Sequence, residues 1–518
     1  MVITPVILKP LVLLWVLLGL WSCATNPVTG RNELSFISES AEISIGKQQY
    51  IPSQQSQGGK YLVDQSLNDY VSEVGNRLAA VSDRTLPYEF VVLNESTPNA
   101  WALPGGKIAV NRGLLLALNN EAELAAVLGH EIVHSAARHG AQAMQRGTLL
   151  QGAILATSIA AKDSEYSNYI VGAAELGSQL VSLRYGRDKE LESDAYGIEY
   201  MLRAGYDPRA AVTLQKTFVA MSDAKKTGWL EGLFSSHPPS EERVNANQQS
   251  VSAIYLRQDL ETGEPRYTQH LAYLRSVESA YVSYDRAQFL IEEKEFESAL
   301  KALARAQDIE PKEARFYGTM GDVYRLQLQH KKAKTAYDQA LALDQGFYEY
   351  YLGRGLSNAK LGNTVAAKSD LAKSNELLPT VVAMSELGTL SLANGETGIA
   401  KQYFKSAMSA GGDLGREARF EYLKLDLPEN PSSYILAQAK ISNGYLDANL
   451  INKSGLTIAE VRVRFATILN GKSISRTVAV KQLQRSATAN SGWQVPDNHS
   501  FDDVSLTIIS ARLWRTIE

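Results

Sequence analysis

Apolar and polar residues change rhythm several times along the chain, and each rhythm predicts a different kind of element. From Leu11 to Trp21 the run is wholly apolar. As a helix it would cover about 16 Å, roughly half a bilayer core, which is the size of a signal-peptide core. The polar stretch after Cys23, with Asn26-Pro27 and Thr29-Gly30, reads as a tether leading into a helix. Between about 60 and 265 the rhythm is mixed. Residues 88–93 (YEFVVL) and 107–110 (KIAV) are strand-like, and Pro104-Gly105-Gly106 turns the chain between them. Residues 120–140 read as a helix, because Asn120 and Glu123 resemble a capping box and Leu124 to Leu128 are apolar. A second helix within 185–208 carries an apolar stripe of Leu191, Ala195, Ile198 and Leu202 and stops at Gly205 and Pro208. The small, apolar stretch 147–161 is too short for a comfortable membrane span and is expected as a buried helix.

Farther on the pattern repeats. Ala299, Ala333 and Ala367 fall 34 residues apart, and Leu303, Tyr337 and Leu371 keep the same step, as do Ala306, Ala340 and Ser374. Pro311 and Pro379 close two units, and Gly321 and Gly355 sit where paired helices would cross. A fourth unit follows after a one-residue slip, marked by Gly388, Ala400, Phe404 and Ala407. A 34-residue period with small residues at these offsets is the tetratricopeptide signature. The tail switches to a two-residue alternation, Val461, Val463 and Phe465 against Arg462 and Arg464, ahead of the hairpin signal Asn470-Gly471. A small β-sandwich over about 430–518 follows from that pattern.

A chain of 518 residues is too long for one core. With 52 basic and 56 acidic residues and a net charge of −4, it offers no cationic footprint for nucleic acid. The single cysteine, Cys23, excludes an internal disulfide and a cysteine-rich zinc module. Leu20-Trp21-Ser22-Cys23 instead resembles the lipobox of bacterial lipoproteins, in which the cysteine is lipidated. Ala24 stands where an inner-membrane lipoprotein would typically carry aspartate, so the resemblance implies the outer membrane.

Candidate chemistry lies in GHEIVHSAARHG, residues 129–140. On a helix His130 and His134 fall about 40° apart on one face and can converge on one ion. Glu131, about 60° from His134, is near enough to take a proton from an attacking water without itself binding the metal. His139 would lie about 180° round from His130 and is not expected as a ligand, leaving a helix-end packing or supporting role. On the second helix Glu190 and Asp194 stand one turn apart. They could be a ligand and its orienting carboxylate, or acidic residues on a solvated face; Glu192 points about 200° from Glu190.

The segments NAWALPGGKIAVNRGLL, HEIVHSAARH, ELESDAYG and HPPSEER occur in the order found in the HtpX/BepA-like zinc metallopeptidases, relatives of the CAAX prenyl-protein endopeptidase. The resemblance covers about residues 25–255, and the attached repeats look like the BepA-type periplasmic subgroup. It implies one Zn2+ per chain held by His130, His134 and Glu190, with Asp194 orienting and Glu131 as the general base. It also implies that His237 is a fourth ligand or plug that keeps the enzyme latent. By the same resemblance Asn99, Ala100 and Trp101 belong to a substrate-binding edge strand, and Arg243 holds the His237 loop or faces the cleft. The expected fold is multidomain and mainly α. A signal peptide (1–22) ends at Cys23, the lipidation site. A minimal gluzincin-type α+β metallopeptidase domain (24–265), an α-solenoid of about four tetratricopeptide repeats (270–425) and the C-terminal β-sandwich follow. The expected function is a lipid-anchored endopeptidase of the periplasm, membrane-attached through its lipid, that hydrolyses unfolded or misassembled envelope proteins, with a protein partner on the repeat groove. The alternative is a chaperone-like assembly factor that works by repeat-mediated binding with little proteolysis.

Overall fold

The computed structural model describes residues 23–151, 180–181, 183–223, 235–254, 258–410, 412–442, 445–469, 472–485, 488–494 and 504–514. The signal-peptide expectation and most of the apolar stretch 147–161 lie outside these residues. Among the described residues no helix is long and apolar enough to cross a membrane.

The stretch after Cys23 is not a tether. Strand β1 (Cys23–Thr25) pairs antiparallel with β2 (Asn32–Leu34). Asn26 closes the turn by accepting hydrogen bonds from Val28 N and Thr29 N, and Gly30 supplies the positive φ of 68°. Asn26 Nδ2 also donates to the Ala137 carbonyl at 3.2 Å, which fixes the hairpin to the body of the protein.

Helices α1 (Glu39–Ser56) and α2 (Gln65–Ala79) follow, capped by Ser38 and Asp64. A three-stranded sheet comes next: β3 (Glu89–Leu93), β4 (Ala100–Leu103) and β5 (Lys107–Asn111), in spatial order β3-β5-β4. β3 runs parallel to β5 and β4 antiparallel to it, so the Pro104-Gly105-Gly106 turn joins β4 to β5 and leaves β4 at one edge. Gly105 and Gly106 both have φ near 80°, which that turn requires.

The helices that carry the site are α3 (Arg112–Ala117), α4 (Glu121–Ala136), α5 (His139–Gln151), α6 (Arg187–Arg203), α7 (Arg209–Asp223), α8 (Glu241–Ser252) and α9 (Glu264–Ser276). Leu124, Leu128 and Ile132 of α4 pack into one core with Ile108 and Val110 of β5 and with Leu67 and Val74 of α2. Buried Glu121 pins the start of α4 by accepting from Tyr70, Tyr206 and Arg266.

Three helical hairpins continue the same compact unit as far as Pro379. They are α10 (Glu278–Glu292) with α11 (Phe296–Ile309), α12 (Ala314–Leu326) with α13 (His330–Leu343), and α14 (Tyr348–Lys360) with α15 (Thr364–Leu377). Ala299, Leu303 and Ala306, and their counterparts 34 and 68 residues later, are buried between the helices. Hydrogen bonds from Asn94 to Glu313 and from Ser96 to Asp285 join the β3–β4 loop to these hairpins.

From Thr380 a second unit comprises α16 (Val381–Ala393), α17 (Thr397–Ala407), α18 (Gly412–Asp426) and α19 (Pro431–Tyr434), then six strands. These are β6 (Ile435–Ser442), β7 (Tyr445–Asn452), β8 (Ile458–Leu469), β9 (Lys472–Leu483), β10 (Thr488–Gln494) and β11 (Ser505–Leu513). They form two sheets, β10-β7-β6 and β11-β8-β9. Leu446, Ala448 and Leu450 from one sheet share a core with Val461, Val463 and Phe465 from the other, as alternation requires. Leu469 stands opposite Lys472 at the end of the β8–β9 pairing, and the hairpin signal Asn470-Gly471 lies outside the described residues.

Candidate metal centre

Helix α4 is capped by Asn120, whose Oδ1 accepts from Glu123 N at 2.9 Å; the Glu123 carboxylate closes back one residue early, on Asn119 N. One turn apart near its C-terminal end, His130 and His134 bring their Nε2 atoms to 3.0 Å from each other. Helix α6 crosses α4 with Gly197 against Gly129, an ideal Cβ on Gly129 lying 3.2 Å from the Gly197 carbonyl oxygen. That close approach lets Glu190 of α6 reach the two rings, at 3.5 Å from each Nε2. His237, from the loop before α8, completes the group with Nδ1 3.3 Å from His130 Nε2 and 3.0 Å from Glu190 Oε1. All four side chains are buried, and their ligand atoms lie within 4.8 Å of one another.

His130 Nε2 lies 3.0 Å from His134 Nε2 and 3.3 Å from His237 Nδ1, and one or other Glu190 oxygen lies 3.0–3.5 Å from each of the three rings, close to the edges of about 3.3 Å of a tetrahedron around an ion bound at about 2.0–2.1 Å. Three imidazoles crowded on one carboxylate also have more lone pairs than protons to share. The residues therefore fit a divalent cation with nitrogen and oxygen ligands, Zn2+ above all. Glu131 lies beside the group with Oε1 3.5 Å from His237 Nε2, and its buried Oε2 has no hydrogen-bond partner among the described residues.

A network backs these ligands. His130 Nδ1 meets Asp194 Oδ1 at 2.9 Å, and Arg243 of α8 grips both Asp194 oxygens at 2.7 Å. The same guanidinium reaches Glu190 Oε2 at 2.9 Å and donates to the Pro238 carbonyl at 3.2 Å. Ser240 caps α8 and so places Arg243 in its first turn. Burial raises the Asp194 carboxyl, but Arg243 and the bond to His130 outweigh it and hold it below the usual range. Glu190 is likewise depressed against burial, by His237 and His134. Burial lifts the Glu131 carboxyl above its ordinary value, against the pull of His237 and His130. It drops the His134 imidazole well below its own.

The expected stripe on α6 is one position out. Its buried face is Glu190, Ser193, Asp194, Gly197, Ile198, Tyr200 and Met201, while Leu191, Ala195 and Leu202 are half-buried. Carboxylates paired to cations occupy the core side, which hydropathy cannot register. Asn99, Ala100 and Trp101 are buried at the β4 edge, with Asn99 Oδ1 and Trp101 Nε1 lacking partners among the described residues. Cys23 opens β1. Sequence reasoning did not place Tyr185, whose ring stacks on His134 at 4.0 Å. It also dismissed Glu192, which lies outside the ligand group but bonds to His139 at 2.9 Å.

Known proteins resemble the segment that carries these residues. A sequence profile of peptidase family M48 matches residues 65–250. Metalloprotease YcaL of Escherichia coli is 30% identical over 182 residues, which take in 33% of this chain and 68% of that protein. The chain belongs to peptidase family M48. The M48 segment holds every residue of the cluster and of the network behind it. Two other relatives align over shorter shares of their length. The putative beta-barrel assembly-enhancing protease of Vibrio cholerae is 30% identical over 36% of this chain and 39% of its own. The beta-barrel assembly-enhancing protease of Escherichia coli is 26% identical over 47% of this chain and 52% of its own. The chain thus spans only about two fifths to one half of these two relatives.

Proposed function

We propose that the chain is a zinc-dependent endopeptidase of the bacterial cell envelope that hydrolyses misfolded or misassembled envelope proteins. The observation that carries this reading is the convergence of His130, His134, Glu190 and His237 beside a buried carboxylate, Glu131, with an unpartnered oxygen. Zinc, when bound, supplies a Lewis acid that makes water acidic and polarises a peptide carbonyl. Glu131, its carboxyl raised by burial, takes the proton of the attacking water and delivers it to the departing amine. Asp194 and Arg243 keep His130 and Glu190 in place. An extended substrate adds to the β4 edge at Asn99, Ala100 and Trp101 by main-chain pairing, which reads extension more than side chains.

His237 fills the position that an attacking water needs, between Glu131 and the other ligands, so the enzyme rests latent. A site with four protein ligands is closed in the way structural zinc sites are. Activation requires the loop latched by Arg243 to the Pro238 carbonyl to move. Lipidation at Cys23 anchors the protein at the outer membrane on its periplasmic side, and the repeats recruit clients or a partner protein.

Glu131→Gln tests the chemistry: zinc content and fold stay, and casein cleavage falls by about 10²–10⁴-fold. A Glu131→Gln protein that still cleaves at the parent rate refutes the assignment. His237→Ala is expected to cleave faster than the parent, and an unchanged rate removes the plug.

A further inference from the structure

We infer that His139, held by Glu192, is the positioning residue for His134. Helix α4 does not continue to His139. It ends at Ala136, Arg138 takes the left-handed conformation at φ 65°, and α5 begins at His139. The reversal carries the His139 ring back behind His134, with the two Nδ1 atoms 2.9 Å apart and the ring planes crossing at 76°. On its far side His139 Nε2 lies 2.9 Å from Glu192 Oε1. Lys189 approaches that carboxylate at 3.6 Å and Glu33 of the N-terminal hairpin at 3.5 Å. The His139 side chain is completely buried, so both of its nitrogens need partners.

With a lone pair on His134 Nε2, one arrangement of ring protons satisfies the chain of contacts, and the Ser193 hydroxyl, 3.4 Å from His139 Nδ1, can donate there without changing it. His134 faces the ligand cluster with Nε2, which must present a lone pair there, so its proton sits on Nδ1 and is donated to His139 Nδ1. His139 then carries its own proton on Nε2 and donates it to Glu192. This orders the His134 tautomer and ring through an interposed imidazole, whereas His130 rests directly on Asp194. Tyr185, stacked at 4.0 Å, closes one face of the same His134 ring. The inference rests on the zinc reading, since the ion is what fixes the lone pair on His134 Nε2.

The test uses the full-length chain in detergent, with zinc affinity measured by competition against a fluorescent chelator. His139→Ala is expected to weaken zinc binding about 10–100-fold. His139→Asn, whose side-chain oxygen can accept from His134 Nδ1, should restore most of that loss. Cobalt-loaded His139→Ala should show a shifted visible spectrum while cobalt-loaded His139→Asn resembles the parent. A residue that only packs would lower the stability of the metal-free protein without moving affinity or spectrum. Should His139→Ala fail to fold, Glu192→Leu carries the same test, with about a tenfold loss expected. A folded variant that binds zinc within threefold of the parent overturns the inference and leaves the zinc reading intact. A parent that binds no zinc brings down both.

Discussion

Helices α4 and α6 cross at Gly129 and Gly197, and α14 and α15 cross at Gly355, yet the glycines serve different ends. At the metal centre a Cβ on Gly197 would meet backbone, His130 N at 3.1 Å and Gly129 C at 3.3 Å. At the repeat crossing it would meet side chains, Leu371 Cγ at 2.8 Å and Asp370 Cβ at 3.2 Å. The first crossing sets where Glu190 stands relative to two histidines, while the second only seats a leucine. Arginine bridges divide the same way. Arg243 joins Asp194 and Glu190 with all three side chains nearly inaccessible. Arg354 joins Asp370 and Asp338 where Asp338 is 40% exposed. Similar parts therefore place ligands where every partner is buried and serve packing where one carboxylate of the bridge stays exposed.

That contrast is broken most directly at the arginines. Arg243→Met leaves two buried carboxylates without their cation and should cost about 3–5 kcal/mol. Arg354→Met, in a partly solvated bridge, should cost about 1 kcal/mol or less. Urea denaturation of the two variants measures the difference, and equal losses would erase the distinction between the regions.

Removing the metal comes next. At free zinc a hundred times Kd, chelation withdraws about 2.7 kcal/mol from whatever structure the ion holds. Hydrogen exchange should show lost protection in α4 and α6 and none in α16 and α17, which belong to the other compact unit. Uniform loss across both units would mean that the ion is not a local clamp.

These effects bear on what the sequence could reveal. His130, Glu131 and His134 were legible because a one-turn spacing on a helix is a local relation. The repeats were legible because a fixed 34-residue step survives any detail of packing. Glu190 and Asp194 were readable only as alternatives, since a buried carboxylate and a solvated one look alike until a cation is placed beside them. The stripe on α6 came out one residue wrong for that reason. A straight helix sets His139 opposite His130, but the chain turns at Arg138, and a left-handed residue that is not glycine leaves no mark in the sequence. Asn26-Pro27 and Thr29-Gly30 suggest a tether, whereas Asn26 accepts from the backbone just after it and closes a hairpin.

The smallest effects separate the two crossings most sharply. Replacing a helical glycine by alanine gains about 1 kcal/mol of helix propensity, which offsets part of any clash. At Gly355 the clash falls on the buried Leu371 side chain, so Gly355→Ala should cost about 1–3 kcal/mol through overpacking and leave zinc affinity unchanged. At Gly197 the clash falls on the backbone of His130, so α6 itself must move by a few tenths of an ångström. Gly197→Ala should then cost about 1–2 kcal/mol in stability. Because that displacement carries Glu190 away from both imidazoles, zinc affinity should also fall about tenfold. Chelator competition on the two alanine variants decides the matter. If Gly197→Ala binds zinc as tightly as Gly355→Ala, the closeness of α4 and α6 does not set the ligand geometry.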